Sequence, residues 1–213
     1  MERKITQESR GIPFGGPATR CRARYYKRAS YLIDEGQFGA ATLLTPFNYR
    51  HGTVEGADLS LSYDADNWSL HGNFATSKAL GKGIESAQFN FAPDELSYIA
   101  GHYIHLDHDQ TCTGSAGIAY TFPATRTRVL ADLLSGSGLR AGADHPNGGS
   151  LPKYHQVNVS IVQKIDTGWR MGTELRLDVI NRFDEVCEIR DGSIGAPQFC
   201  PRRTILAGMT RRL

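Results

Sequence analysis

The sequence predicts an all-β protein, an antiparallel up-and-down β-barrel that crosses a membrane, and three observations predict it. Alternation of apolar and polar residues with period two recurs along the 213-residue chain, which is the pattern of strands with one apolar and one polar face. The intervals between these runs are alternately short and long, as in a transmembrane barrel with tight turns on one side and large loops on the other. No apolar run reaches the roughly 18 residues that a membrane helix needs. A barrel escapes that test, because only alternate residues of its strands face lipid.

Residues 1–24 carry Arg3, Lys4, Arg10, Arg20, Arg22 and Arg24, interrupted by Gly11, Pro13, Gly15, Gly16 and Pro17. They read as an irregular basic segment, with an arm for nucleic acid or anionic lipid as the functional alternative. The barrel text runs from residue 25 to 213. Residues 25–33 are aromatic and β-prone, and 34–37 supply a turn. Ala57, Leu59, Leu61 and Tyr63 then alternate with Asp58, Ser60, Ser62 and Asp64. Pro46 belongs at that strand's loop end, where no ladder donor is required. After a turn at 64–67, Trp68, Leu70, Gly72 and Phe74 alternate with Ser69, His71, Asn73 and Ala75, the clearest hairpin in the chain.

Residues 78–110 show no sustained alternation and read as a long external loop. Residues 111–122 form a strand, 122–125 a tight turn, and Val129, Ala131 and Leu133 oppose Arg126, Arg128 and Asp132 on the way back. A second long loop fills 135–153. Val157, Val159, Ile161 and Ile165 oppose Gln156, Asn158, Ser160 and Lys164, and a turn follows near Trp169. Glu174, Arg176 and Asp178 alternate with Leu175, Leu177 and Val179, and residues 204–213 close the chain as a last strand. The count is about eight. Tyr63, Trp68, Phe122 and Trp169 fall near one set of turns, as a partial aromatic girdle. A soluble sandwich or ligand-binding barrel shows the same binary pattern, and its core would take the same aromatics.

The polar phase defines a candidate lumen face: Asp58, His71, Asn73, Arg126, Arg128, Asp132, Asn158, Lys164, Glu174, Arg176 and Asp178. Charges of both signs on neighbouring strands can pair across the wall. The run His102, His105, Asp107, His108, Asp109 contains metal-ligand residue types. On a strand, however, His102 and His108 point opposite to His105. A polar loop face is the ordinary reading, with His105, Asp107 and Asp109 as candidate ligands. Cys187 and Cys200 flank one loop and would close a disulfide there if the loop lies outside the cell, free thiols being the alternative. No C-x-x-C, P-loop, G-x-G-x-x-G or G-x-S-x-G element appears, so neither an enzyme nor a cofactor is expected. The formal net charge of +2 gives no reason to expect nucleic acid. The first residues lack the apolar stretch of a secretory signal, so the chain is expected either to remain in the cytoplasm or to be the tail of a longer exported protein.

The run Asp178-Val179-Ile180-Asn181-Arg182-Phe183-Asp184, then Glu188-Ile189-Arg190-Asp191-Gly192, Gly195-Ala196-Pro197-Gln198-Phe199, Pro201-Arg202-Arg203 and the closing strand, resembles the C-terminus of TonB-dependent outer-membrane receptors. The Asn48, Gly52, Gly56, Asp58 spacing resembles a descending strand of the same family. Arg182 stands where the family usually has an apolar residue, and Leu213 where it usually ends in an aromatic. The resemblance implies a barrel of about 22 strands around a plug, of which this chain supplies about eight C-terminal ones, in the outer membrane and in contact with its lipid. It also implies uptake of a small ligand of the siderophore, cobalamin or sugar class, energised by the TonB complex. With plug and signal peptide outside this chain, it is not expected to transport alone. It implies no metal role for the histidine-rich run. The alternative is an autonomous eight-stranded barrel, in the outer membrane or soluble.

Overall fold

The computed structural model describes residues 4–13, 18–34, 46–142, 144–166, 172–191 and 196–211, with side chains from residue 18 onward. Along the chain lie β1 (Lys4–Pro13), β2 (Ala18–Asp34), β3 (Phe47–Ala65), β4 (Trp68–Ile84), a short 3-10 turn (Gln88–Asn90), α1 (Pro93–Gly101) and β5 (Ile104–His105). Then follow β6 (Cys112–Phe122), β7 (Thr127–Gly136), β8 (Arg140–Ala141), β9 (Gly149–Ser150), β10 (Tyr154–Ile165), β11 (Thr173–Ile180), β12 (Glu188–Arg190), β13 (Gln198–Phe199) and β14 (Thr204–Arg211). The principal sheet is an antiparallel meander in the order β1-β2-β3-β4-β6-β7-β10-β11-β14, with β5 added beside β4. Trp169, Arg212, Leu213 and the expected turn at 35–37 lie outside the described residues.

Cross-strand register fixes which side chains share a face, since residues directly opposite point the same way. One continuous row runs Tyr63, Leu70, Ile118, Ala131, Val159, Val179, Ile205. The next runs Trp68, Tyr120, Val129, Ile161, Leu177, Ala207. These large apolar residues are not buried: Trp68, Leu70, Ile118, Ile161, Leu177 and Ile205 are 36–65% exposed. An apolar face of this extent is far larger than soluble monomers present to water. It matches the lipid-facing side of a membrane barrel. Trp68, Tyr120 and Phe122 contact one another beside the short turns, with centroids 4.5 and 4.8 Å apart, as an interfacial aromatic belt does.

The buried core sits elsewhere, at the long-loop end. Phe47, Tyr49, Ile84, Phe91, Ile99 and Ile104 cluster where the upper parts of β3 and β4 meet α1 and β5. Strands of 19 and 17 residues are well beyond the roughly 9–11 that cross a bilayer. Their upper halves therefore extend past the exposed apolar rows and hold this core. Gly81 makes room for it: a Cβ there would lie 2.5 Å from Cγ of Tyr49, whose side chain is fully buried.

Two sequence expectations are corrected. Residues 4–13 and 18–24 are strands, where the basic composition suggests irregular chain; 18–24 run on into the expected β-prone stretch 25–33 as one strand. The period-two phase is present from Thr19 to Lys27, with arginine in place of apolar residues, and an unbroken ladder to β3 supplies the hydrogen bonds that specify a strand. Residues 78–110 are not one loop, because β4 continues to Ile84 and α1 and β5 follow. The helix start is legible afterwards: Pro93 opens it, Asp94 and Glu95 occupy its first turn, and Glu95 Oε2 accepts the Ala92 N–H at 2.8 Å.

Candidate functional site

Two surfaces carry the chemistry. The first is the polar face of the sheet. By register, Asp58 lies opposite Ala75, His71 opposite Gly117, Asn73 opposite Ser115, Arg128 opposite Val162, Asp132 opposite Asn158, Lys164 opposite Glu174, and Asp178 opposite Ser160. These residues, with Arg176, share the face opposite the exposed apolar rows. Gly117 opens a gap in β6 across which His71 Nε2 and Asp132 Oδ1 approach to 3.9 Å; a Cβ at that position would lie 2.1 Å from the His71 ring. Arg176 Nε donates to both oxygens of Asp178, at 2.9 and 2.7 Å. Arg126 is the exception. It occupies the β6–β7 turn with φ 56° and pairs with Asp166 of the turn after β10, so it belongs to the rim.

The second surface is a platform built from the long loops. Asp109, with its side chain fully buried, accepts the Ala79 N–H at 3.0 Å, faces His105 Nδ1 at 2.5 Å and Arg140 Nη2 at 3.4 Å. Asp107, also buried, lies 3.3 Å from His108 Nδ1 and 4.0 Å from Arg190. Asn147 donates to the His105 carbonyl at 2.9 Å, and the Gly142 N–H to Asp191 at 3.3 Å. Three loops far apart in sequence are thus joined by two acids and two arginines. His105 and Asp109 do come together, but as each other's partners, with Arg140 and the Ala79 N–H also on Asp109, while Asp107 faces His108 and Arg190. Among the described residues no group of three His, Cys, Asp or Glu side chains is arranged to hold a metal. Beside this network, the Tyr98 ring stacks on both His102 and His145, at 4.4 and 5.3 Å. Sequence reading passed over Tyr98 and His145, which become neighbours only through tertiary folding.

The Asn181–Asp184 element anchors the last loop. The buried Asn181 side chain donates to the carbonyls of Glu185 and Pro201 and accepts the Glu185 N–H, at 2.9, 3.2 and 2.9 Å. Asp184 accepts two bonds from Arg202, at 2.8 and 2.6 Å, and the Arg203 N–H at 2.9 Å. Those bonds, the Arg202 guanidinium first, hold its carboxyl well below the usual carboxylate range. Cys187 and Cys200 are joined by a disulfide, their Cα atoms 5.2 Å apart.

A one-layer sheet, apolar and exposed on one face, polar on the other, with structured loops at one end, has the form of the wall of a transmembrane β-barrel. The solved structures it resembles include two import or siderophore receptors and an iron transporter. The ferric-catecholate import receptor Fiu of E. coli K12 matches with TM-score 0.65 and 16% identity over 97% of this chain. The siderophore receptor PiuA of Acinetobacter baumannii matches with TM-score 0.70 and 12% identity over 99%. The FrpB iron transporter of Neisseria meningitidis matches with TM-score 0.66 and 11% identity over 97%. The chain spans 27, 28 and 30% of those three proteins respectively. No protein-family model and no curated protein matches the sequence. At these identities the likeness concerns the fold, and it agrees with the resemblance to TonB-dependent receptors carried by residues 178–203.

Proposed function

We propose that this chain forms part of the wall of an outer-membrane receptor for a small ligand, with the polar face toward the lumen and the loop platform outside the cell. The observation that carries the reading is the two-faced single sheet, whose large apolar residues are exposed rather than packed. The names of the structural neighbours support the siderophore class as ligand over the cobalamin and sugar classes. Uptake in such a receptor would be energised by the TonB complex and would need a plug in addition to these residues. The open path from β1 to β14, with no pairing between the two among the described residues, supports a partial wall over an autonomous closed barrel.

The test places one tryptophan on each face. In W169F protein reconstituted into bilayers, Trp68 fluorescence should be quenched strongly by brominated lipid. In a W68F/N73W/W169F chain the tryptophan on the polar face should be quenched weakly. A monodisperse monomer soluble without detergent, or equal quenching from both positions, would overturn the reading.

A further inference from the structure

Above the apolar rows the outward side of β7 and β10 turns polar. Val129, Ala131 and Leu133 on β7 lie opposite Ile161, Val159 and Val157 on β10. One step further Ser135 lies opposite His155, and Ser137 and Lys153 follow in the same phase. The Ser137 N–H donates to the Cys112 carbonyl at 2.9 Å, so these two residues are level with Cys112. The 11 residues of β6 from Phe122, in the aromatic belt, to Cys112 are about the number with which a strand crosses a bilayer. Ser137 and Lys153 therefore mark the second edge of the apolar band, on the loop side. A groove of about 370 Å³ opens on this outward side. Phe74, Ala116 and Leu133 line its apolar end, and Ser137, Lys153 and His155 line the other. Gly114 lies between, opposite Phe74 and Ser135. Ser135 Oγ and His155 Nδ1 are 2.9 Å apart, which leaves Nε2 of that ring for another partner.

We infer that this groove holds one anionic, phosphate-bearing lipid, with an acyl chain against Phe74 and Leu133 and the phosphate at Lys153, an inference that rests on the membrane-wall reading. Position selects a lipid over a soluble ligand, because the groove opens on the side of the exposed apolar rows and its apolar end continues them. Charge selects the headgroup. A lysine at the edge of the band lays its stem along apolar surface and keeps its ammonium at headgroup level, where each such cation favours an anionic surface roughly fivefold. Lys78 and Glu55, on the same side, lie opposite each other and offset one another, whereas Lys153 is exposed and in no ion pair among the described residues. The Ser137 hydroxyl accepts the Cys112 N–H at 3.1 Å and keeps its own proton to donate. With His155 Nε2 it supplies hydrogen bonds to the remaining phosphate oxygens.

Native mass spectrometry of the full chain, extracted in detergent from bilayers of equal phosphatidylglycerol and phosphatidylcholine, tests the inference. One phosphatidylglycerol should stay bound in preference to phosphatidylcholine. The preference should fall roughly fivefold in K153Q, the contribution of one juxtamembrane lysine, and further in K153Q/H155Q. Gly114→Leu should displace the lipid by filling the groove, since a Cβ there meets only ordinary contacts, 3.6 Å from the Asn73 carbonyl oxygen and 3.9 Å from Phe74. K78Q, which removes a cation from the same side outside the groove, should retain it. Trp68 quenching in the W169F background, unchanged by these substitutions, shows that each variant is inserted. Equal retention of both lipids by the wild type, or a preference unchanged in K153Q/H155Q, would overturn the inference. Bound lipid unchanged in Gly114→Leu, or a preference lost in K78Q, would also overturn it. Failure of the wild type to enter the bilayer would refute the membrane reading itself, so the two failures are distinguishable.

Discussion

Replacing Asp109 by alanine should loosen the loop platform while leaving the membrane wall intact. Asp109 and Arg140 have side chains 0% and 11% exposed. Arg140 otherwise bonds neutral groups, Thr111 Oγ1 at 2.9 Å and Ser150 Oγ at 3.3 Å. Removing one member of a buried pair leaves the other charge uncompensated, at a cost of about 3–5 kcal/mol. The Ala79 N–H loses its acceptor as well, a contribution of roughly 1 kcal/mol that lies within that range. The site belongs to the platform, so the loss should appear as local opening. Hydrogen exchange in detergent reads it: protection of the Ala79, Leu106 and Ser77 amides, which face this network, should fall by two to three orders of magnitude. The Ile118 and Leu177 amides should not change. A D109A/R140L double variant, which removes both charges, should recover most of the protection. Protection of Ala79 unchanged within threefold in D109A, or no recovery in the double variant, would refute the assignment of this pair as the joint between loops.

Other predictions concern the same end of the molecule. Gly81→Ala should displace the Tyr49 ring and cost about 1–3 kcal/mol of platform stability, seen as faster exchange at Ile84 and Ile99; unchanged exchange would mean that the core relaxes freely. Serine at both Cys187 and Cys200 releases a closed loop whose ends are 13 residues apart. It should lower resistance of residues 181–203 to proteolysis by an amount corresponding to roughly 3 kcal/mol. Asp184 has its carboxyl pKa depressed in the folded loop. Its contribution is therefore complete above the ordinary carboxylate range near 3.9 and is lost only as pH falls through the lower folded value. A carbon-13 titration of its carboxyl should show no change between pH 7 and 4, and D184N should remove the pH dependence of loop protection; a midpoint near 4 would refute the Arg202 clamp.

The wall was legible because its information is local. Leu175, Leu177 and Val179 against Glu174, Arg176 and Asp178 state a face assignment within six residues, and a slip of one position would invert all of them. Asn158, Lys164 and Asp132 are in the same position, and the register brings them to one side. The short turns at 66–67 and 123–126 are equally local, and both stand where the sequence puts them. Residues 4–13 and 18–24 were missed because the outward phase at 20, 22 and 24 is arginine, and a reading keyed to hydrophobicity does not see a strand whose face is charged. Arg126 was misplaced by a similar economy: its parity fits β7, but a positive φ turns it into the rim.

The platform was illegible for the opposite reason. His105, Asp107 and Asp109 look like metal ligands when only their own segment is considered, because neighbouring acids and histidines need a cation from somewhere. The cations come from Arg140 and Arg190, 31 and 83 residues beyond Asp109 and Asp107, and no local period connects them. Two buried acids satisfied by arginines from two other loops give those loops a shared set of neighbours, so that opening any one exposes charge in the others. That coupling sets the loop end apart from the wall below it. The exposed apolar rows of the wall tolerate exchange of one apolar residue for another, whereas the platform depends on particular pairs. Under the proposed receptor function, variation in the ligand is therefore most cheaply achieved at exposed positions such as His102, Tyr103 and Phe89, which lie on the loop platform without holding its charges. Substituting Phe89, 84% exposed, by serine should leave exchange at Ala79 unchanged, and a fall in that protection would show that the platform's surface and its charge network are not separable.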